Sequence, residues 1–265
     1  MLTGEILHSL PVASMAELLS LSAEEIRAVV EEPGPILSSR AEAALLAPVD
    51  RQEVWAAGVT YRRSRDARLE ESGGADVYDR VYEAERPELF FKSAGWRVAG
   101  SGGGIAVRDD SEWDLPEAEL ALVVNAHGQI VGYTAGNDVS SRSIEGENAL
   151  YLPQAKVYDG ACALGPGVRP AWEVDEPVFE IKMKIERAGE ILAEGHTNTA
   201  DMKRGFQELA DWLTRATAFP DGVILMTGTG IVPPADISLA PGDWVVIAID
   251  GIGELVNKVG PRGQA

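Results

Sequence analysis

The sequence predicts a β-rich α+β fold built on mixed sheets. Three observations lead there. Short apolar runs bounded by turn residues recur from residue 88 onward, one segment alone carries a long, clean helical stripe, and βαβ repeats are scarce. Residues 1–50 read as a small N-terminal α/β region and 51–265 as the main domain.

In the N-terminal region, Ser22-Ala-Glu-Glu25 followed by Ile26, Val29 and Val30 has the form of a capping box opening a helix. Val54–Val59 reads as a buried strand. Tyr61–Arg86 is dense in charge at helical spacing and contains Gly73-Gly74, which predicts two helices with a flexible joint, either a lid or a solvated surface pair. Strands are expected at 88–92, 105–108, 117–125, 129–136, 178–186, 190–195, 222–227 and 244–249. Met202, Phe206, Leu209, Ala210 and Leu213 form one apolar stripe, so Asp201–Phe219 is expected as a core-packed helix. Gly102-Gly-Gly104 reads as a flexible loop without the lysine of a phosphate cradle.

Composition narrows the function. The net charge of −19 argues against nucleic acid and anionic membranes as partners. The chain start has no basic stretch before its apolar residues, and the longest apolar run, near Gly222–Val232, is too short to span a bilayer, so the cytoplasm is the expected location. One cysteine, Cys162, and three scattered histidines provide no nitrogen or sulfur ligand set. A metal site would use oxygen ligands, which favours Mg²⁺, with Mn²⁺ or Ca²⁺ as alternatives.

Glu117 and Glu119 sit two apart in a predicted strand and so share a face. A two-residue turn centred on His127-Gly128 would return the chain along Ile130–Gly136 and set Asp138 opposite Glu117. Like charges placed this close need a cation or a proton. The alternative is a solvent-facing acidic edge, and a bulge at Gly132 or Gly136 would break the register.

Glu117-Ala-Glu-Leu-Ala-Leu-Val-Val124, Gly132-Tyr-Thr-Ala-Gly-Asn-Asp-Val-Ser-Ser-Arg142, Lys156 before Ala163-Leu-Gly-Pro166, Thr197-Asn-Thr-Ala-Asp-Met202, Thr227-Gly-Thr-Gly230 and Leu239-Ala-Pro-Gly-Asp243 occur in that order. Together they resemble the fumarylacetoacetate hydrolase superfamily over roughly residues 54–259. The resemblance implies a mixed β-sheet roll with a metal-dependent site at its mouth, in homodimers or homotetramers. It also implies that Glu117, Glu119 and Asp138 bind the metal, that Arg142 and Lys156 are active-site residues, and that Thr229 contacts a substrate carboxylate. Tyr61 and Lys92 are further candidate substrate contacts.

Two departures bear on the chemistry. Hydrolytic members carry Tyr-x-x-His-x-x-Glu after the first strand, whereas here Tyr61 is followed by Ser64 and Ala67 at the His and Glu positions. A serine hydroxyl is no general base near neutral pH. Glu145 stands where the family has Gln. With Arg86-Pro-Glu-Leu-Phe-Phe-Lys92 and Tyr151-Leu-Pro-Gln-Ala-Lys156, the chain resembles the branch that dehydrates 2-keto-3-deoxy sugar acids. The expected reaction is loss of water from a 2-keto-3-deoxy-pentonate, giving 2-oxoglutarate semialdehyde, with Lys156 or Glu145 moving the C3 proton. C–C hydrolysis of a 2,4-diketo acid on the same metal site is the alternative, and non-catalytic cation or carboxylate binding is a third reading.

Overall fold

Strand pairing sets the architecture of the chain, whose computed structural model describes residues 1–32, 34–40, 43–71 and 77–260. The N-terminal region holds β1 (Leu2–Thr3), β2 (Ile6–His8), α1 (Met15–Leu19), α2 (Ala23–Glu31) and β3 (Ile36–Ser39), with its strands in one antiparallel sheet. The expected capping box is present: Ser22 Oγ accepts from Glu25 N–H, and the Glu25 carboxylate accepts from Ser22 N–H at 2.9 Å.

Then follow β4 (Glu53–Gly58), α3 (Arg62–Glu71), α4 (Val77–Glu83), β5 (Glu88–Ala94), β6 (Gly104–Ile105), β7 (Asp114–Leu115), β8 (Ala118–Val124), β9 (Ile130–Asp138), β10 (Ser140–Ser141), α5 (Arg142–Glu147), α6 (Leu152–Lys156) and β11 (Cys162–Pro170). The chain ends with β12 (Glu180–Arg187), β13 (Glu190–Asn198), α7 (Phe206–Thr214), β14 (Val223–Met226), β15 (Trp244–Ile249) and β16 (Gly253–Val259). The expected joint at Gly73-Gly74 lies outside the described residues. Both large sheets are mixed. One runs β11-β9-β8-β14-β4-β5 with β14 parallel to β4, and the other runs β13-β12-β15-β16-β6 with β16 parallel to β6.

The six-stranded sheet is buried on both faces. Leu120 and Leu122 of β8 point to the interior shared with Ile181, Met183 and Ile185 of β12 and Val245 and Ile247 of β15. Leu209 and Leu213 of α7 belong to the same core, as the apolar stripe predicts, although the helix is shorter than 201–219. Ala121, Val123, Ile224 and Val54 point the other way and are covered by Leu18, Leu19 and Ile26 of the N-terminal helices. The glycines at 102–104 are tethered rather than loose, because Asn257 Nδ2 donates to the carbonyls of Gly100 and Gly103, each at 3.0 Å.

The β8–β9 hairpin reaches the expected register by an unexpected route. Gly128 N–H donates to Asn125 O at 3.0 Å with Gly128 at φ +74°, so the turn holds Ala126, His127 and Gly128 rather than two residues. A bulge in β9 between Ile130 and Gly132 absorbs the extra residue. The two departures cancel, Ala118 pairs with Asn137, and Glu117 and Asp138 exchange backbone hydrogen bonds of 3.2 and 3.0 Å.

Leu19 packs against Gly222, where an added Cβ would lie 2.7 Å from Leu19 Cβ. Leu19→Ala therefore leaves a cavity between α1 and the sheet. Chemical denaturation is expected to show a loss of about 2–4 kcal/mol, and a loss near zero would mean that α1 does not dock as described.

Candidate active site

The site forms where strand ends of the six-stranded sheet meet: the starts of β5 and β8 and the ends of β4, β9 and β14. Residues 117, 119, 121 and 123 share one face, so the acids continue the row occupied further along β8 by Ala121 and Val123. Glu117, Glu119 and Asp138 are all buried and offer one oxygen each, within 4.8 Å of one another. A hard dication with oxygen distances of about 2.0–2.6 Å spans such a set.

Their environments differ. Lys92 and Lys156 flank Asp138, with Lys92 Nζ 2.5 Å from Oδ1 and Lys156 Nζ 3.0 Å from Oδ2. Burial opposes ionisation of Asp138, but the two ammonium groups outweigh it and hold the carboxyl below its ordinary value. Glu117 accepts from Lys156 at 2.9 Å and Arg142 at 3.2 Å. Glu119 pairs with no ammonium or guanidinium among the described residues, and accepts from Gly228 N–H at 2.5 Å. Burial, then the charges of Asp138 and Glu117, raise it well above its ordinary value. A buried carboxylate facing two others without a cation of its own is a site that a dication fits.

Lys156 Nζ donates to Glu117, Asp138 and Ser140 Oγ, at 2.9, 3.0 and 2.7 Å. These three acceptors match the three N–H bonds of an ammonium. Arg142 and Glu145 lie one turn apart on α5, 3.8 Å from each other, and Ser141 Oγ caps that helix by accepting from Ile144 N–H at 3.2 Å. Lys92 lies outside the lining of the cavity beside the carboxylates and faces Asp138. It lies at a bulge of β5, where the register shifts between Val54 and Trp55. Its ammonium is consumed by Asp138, Val139 O at 2.9 Å and Lys156 O at 2.6 Å. The bulge aims a buried cation at Asp138, which strand alternation would not have indicated.

A cavity beside the carboxylates is lined by Glu117, Lys156, Glu145 and Thr229, with Ser64, Glu88, Phe90 and Leu152 completing the wall. Tyr61 is outside that lining. It is 1 % exposed, its hydroxyl has no partner among the described residues, and burial followed by the charges of Glu119 and Asp201 raises its pKa, so it stays a neutral phenol. Ser64 faces the cavity and Ala67 is buried, so the two positions supply a hydroxyl and a methyl. Glu88 was missed by the sequence reading. Its only signal was a place in the Arg86–Lys92 run, because a carboxylate opening a strand looks like any solvated strand end. Cys162 pairs with Asp138 across β11 and β9, and burial pushes its thiol up to about 12.

A profile of the family described as Fumarylacetoacetate (FAA) hydrolase C-terminal matches residues 53–260. This chain belongs to the fumarylacetoacetate hydrolase family. Within the family it is 47 % identical over 250 residues to "Probable 2-keto-3-deoxyxylonate dehydratase" of Haloferax volcanii, covering 94 % of this chain and 86 % of that protein. It is 46 % identical over 220 residues to "2-dehydro-3-deoxy-D-arabinonate dehydratase" of Saccharolobus solfataricus, covering 81 % and 74 %. The solved structure "2-keto-3-deoxy-D-arabinonate dehydratase complexed with magnesium and 2,5-dioxopentanoate" superposes with a TM-score of 0.86 at 38 % identity, over 100 % of this chain and 94 % of the other. The sheet-rich family fold is thus the one expected from the sequence.

Glu119 makes cation binding depend on protons. Between the ordinary value of 4.5 and the raised folded value, the folded metal-free protein holds a proton that the unfolded chain has lost. Its stability accordingly falls as pH rises through that window and levels off above it. A cation must displace the same proton, so Mg²⁺ affinity is expected to climb with pH across the window. Calorimetry in two buffers of different ionisation enthalpy measures the proton release, and no release at mildly acidic pH would contradict this picture.

Proposed function

We propose that this family member is a divalent-cation-dependent hydro-lyase that removes water from a 2-keto-3-deoxy sugar acid of pentonate length, giving 2-oxoglutarate semialdehyde. The observation that carries the reading is one cavity lined by Glu117 of the carboxylate cluster, by a further carboxylate at Glu88, and by Ser64 where hydrolysis would need the histidine of a base dyad, with Ala67 buried at the other dyad position. Relatives named for this dehydration, at 46–47 % identity, support it.

Glu117, Glu119 and Asp138 would hold Mg²⁺, which when bound supplies Lewis acidity at a 2-oxo group and so acidifies the C3 protons. Thr229 and Arg142 orient the substrate carboxylate and the 2-oxo oxygen. Glu88 takes a C3 proton, because its carboxylate lines the cavity outside the metal cluster. Lys156 holds Glu117 and Asp138 in place and remains a proton donor. Glu145, which lines the cavity beside Arg142, would serve the departing C4 hydroxyl as proton donor when it carries a proton. Water is the sole leaving group, and the product rearranges to the aldehyde without gain or loss of other atoms. Phe90 and Leu152 narrow the cavity and limit bulk water.

With Mg²⁺, 2-keto-3-deoxy-pentonates should yield semialdehyde, and acylpyruvates should yield little pyruvate. Glu88→Gln should lower kcat by about 10²–10⁴-fold while sparing Mg²⁺ affinity. Rapid acylpyruvate cleavage by the unaltered enzyme would replace this reading with the hydrolytic one.

The same reading places the enzyme in the cytoplasm as a homodimer or homotetramer. Exposed Leu46, Trp96 and Leu150 support self-association, and no helix among the described residues is long and apolar enough to cross a membrane. Sedimentation as a monomer at micromolar concentration would exclude the oligomer.

A further inference from the structure

We infer that Gly58 is a positioning residue for Glu88, present because the carboxylate must lie across its Cα. This rests on the reading of Glu88 as the group that takes the C3 proton.

Gly58 and Glu88 are cross-strand partners at the end of the β4–β5 pair, and both line the cavity. A Cβ on Gly58 would sit 2.6 Å from Glu88 Cδ, 3.3 Å from Cγ and closer still to Oε2. The glutamate therefore lies along the strand backbone, and its carboxylate takes the space that a side chain at 58 would fill.

Backbone conformation does not explain the glycine. Gly58 is absent from the positive-φ residues, whereas its neighbour Val59 lies at φ +53°. A β-branched residue is strained in that region and glycine is not. Were conformational freedom the requirement, the glycine would stand at 59. What position 58 needs is the absence of a side chain. Its clash is with the mobile end of Glu88 and not with main chain, so Gly58→Ala displaces the carboxylate and leaves the strands paired.

The test separates proton abstraction from elimination. 2-Oxopentanoate has C3 protons but no C4 hydroxyl, so its C3 exchange in D₂O with Mg²⁺, followed by NMR, reports abstraction alone. Wild type, Gly58→Ala, Glu88→Gln and the double variant are compared for exchange, for kcat and KM on the pentonate, and for Mg²⁺ affinity. Gly58→Ala is expected to lose at least about tenfold in exchange and in kcat, with KM, Mg²⁺ affinity and the cooperative melt little changed. The double variant is expected to match Glu88→Gln within about twofold, since displacing an absent carboxylate has no further effect. Exchange by Gly58→Ala at the wild-type rate, while Glu88→Gln is impaired, overturns the inference about Gly58 and leaves Glu88 standing. A double variant much slower than Glu88→Gln, or loss of the cooperative melt in Gly58→Ala, also overturns it. Wild-type exchange by Glu88→Gln removes the reading of Glu88 itself.

Discussion

Mutual repulsion among Glu117, Glu119 and Asp138, all of them buried, is the constraint around which the rest of the molecule is organised. Burial makes each charge costly, and placing them together makes the cost greater. The fold answers by surrounding the cluster with Lys92, Lys156 and Arg142, all buried. Glu119 is left with a backbone N–H from Gly228 for support. The cluster therefore keeps an appetite for a positive ion that the protein's own side chains do not satisfy. Lys156 ties two members of the cluster together, since its ammonium reaches both Glu117 and Asp138.

The backbone delivers these groups through irregularities as much as through regular strands. In β9 a bulge corrects the longer hairpin turn, so that Asp138 arrives opposite Glu117. At the bulge in β5, Lys92 faces Asp138. The other face of the same sheet turns Leu120 and Leu122 into the apolar interior shared with β12 and β15. Stability comes from that apolar face, and the acidic cluster is built at the strand ends and bulges.

Much of this was legible in the sequence because it depends on parity and spacing. The same-face pair Glu117 and Glu119, the capped helix after Ser22 and the stripe ending at Leu213 follow from periods of two and 3.6. The strands Cys162–Pro170 and Gly253–Val259 did not stand out: the first is rich in Gly and Pro, and the second is interrupted by Asn257 and Lys258. The roles of Lys92, Lys156 and Glu88 were hidden for a different reason. A lysine's chemistry is decided by what surrounds its Nζ, and here the surroundings come from residues far along the chain. Family likeness brought Lys156 to the site, but only its three acceptors identify it as a clamp on Glu117 and Asp138.

β8 carries acids at 117 and 119 and apolar residues at 121 and 123 on one side, and the interior residues 118, 120 and 122 on the other. Each position thus serves two masters, the local chemistry and the parity of the whole strand. Relatives can diverge by exchanging side chains at the rim, on β4, β5, α5 and the end of β14, without disturbing that parity. Adding or removing one residue within β8 would reverse the face of every side chain beyond that point, so the acidic row and the apolar rows could no longer both lie where they do. Evolution on this scaffold is free to edit letters along that strand but not its length.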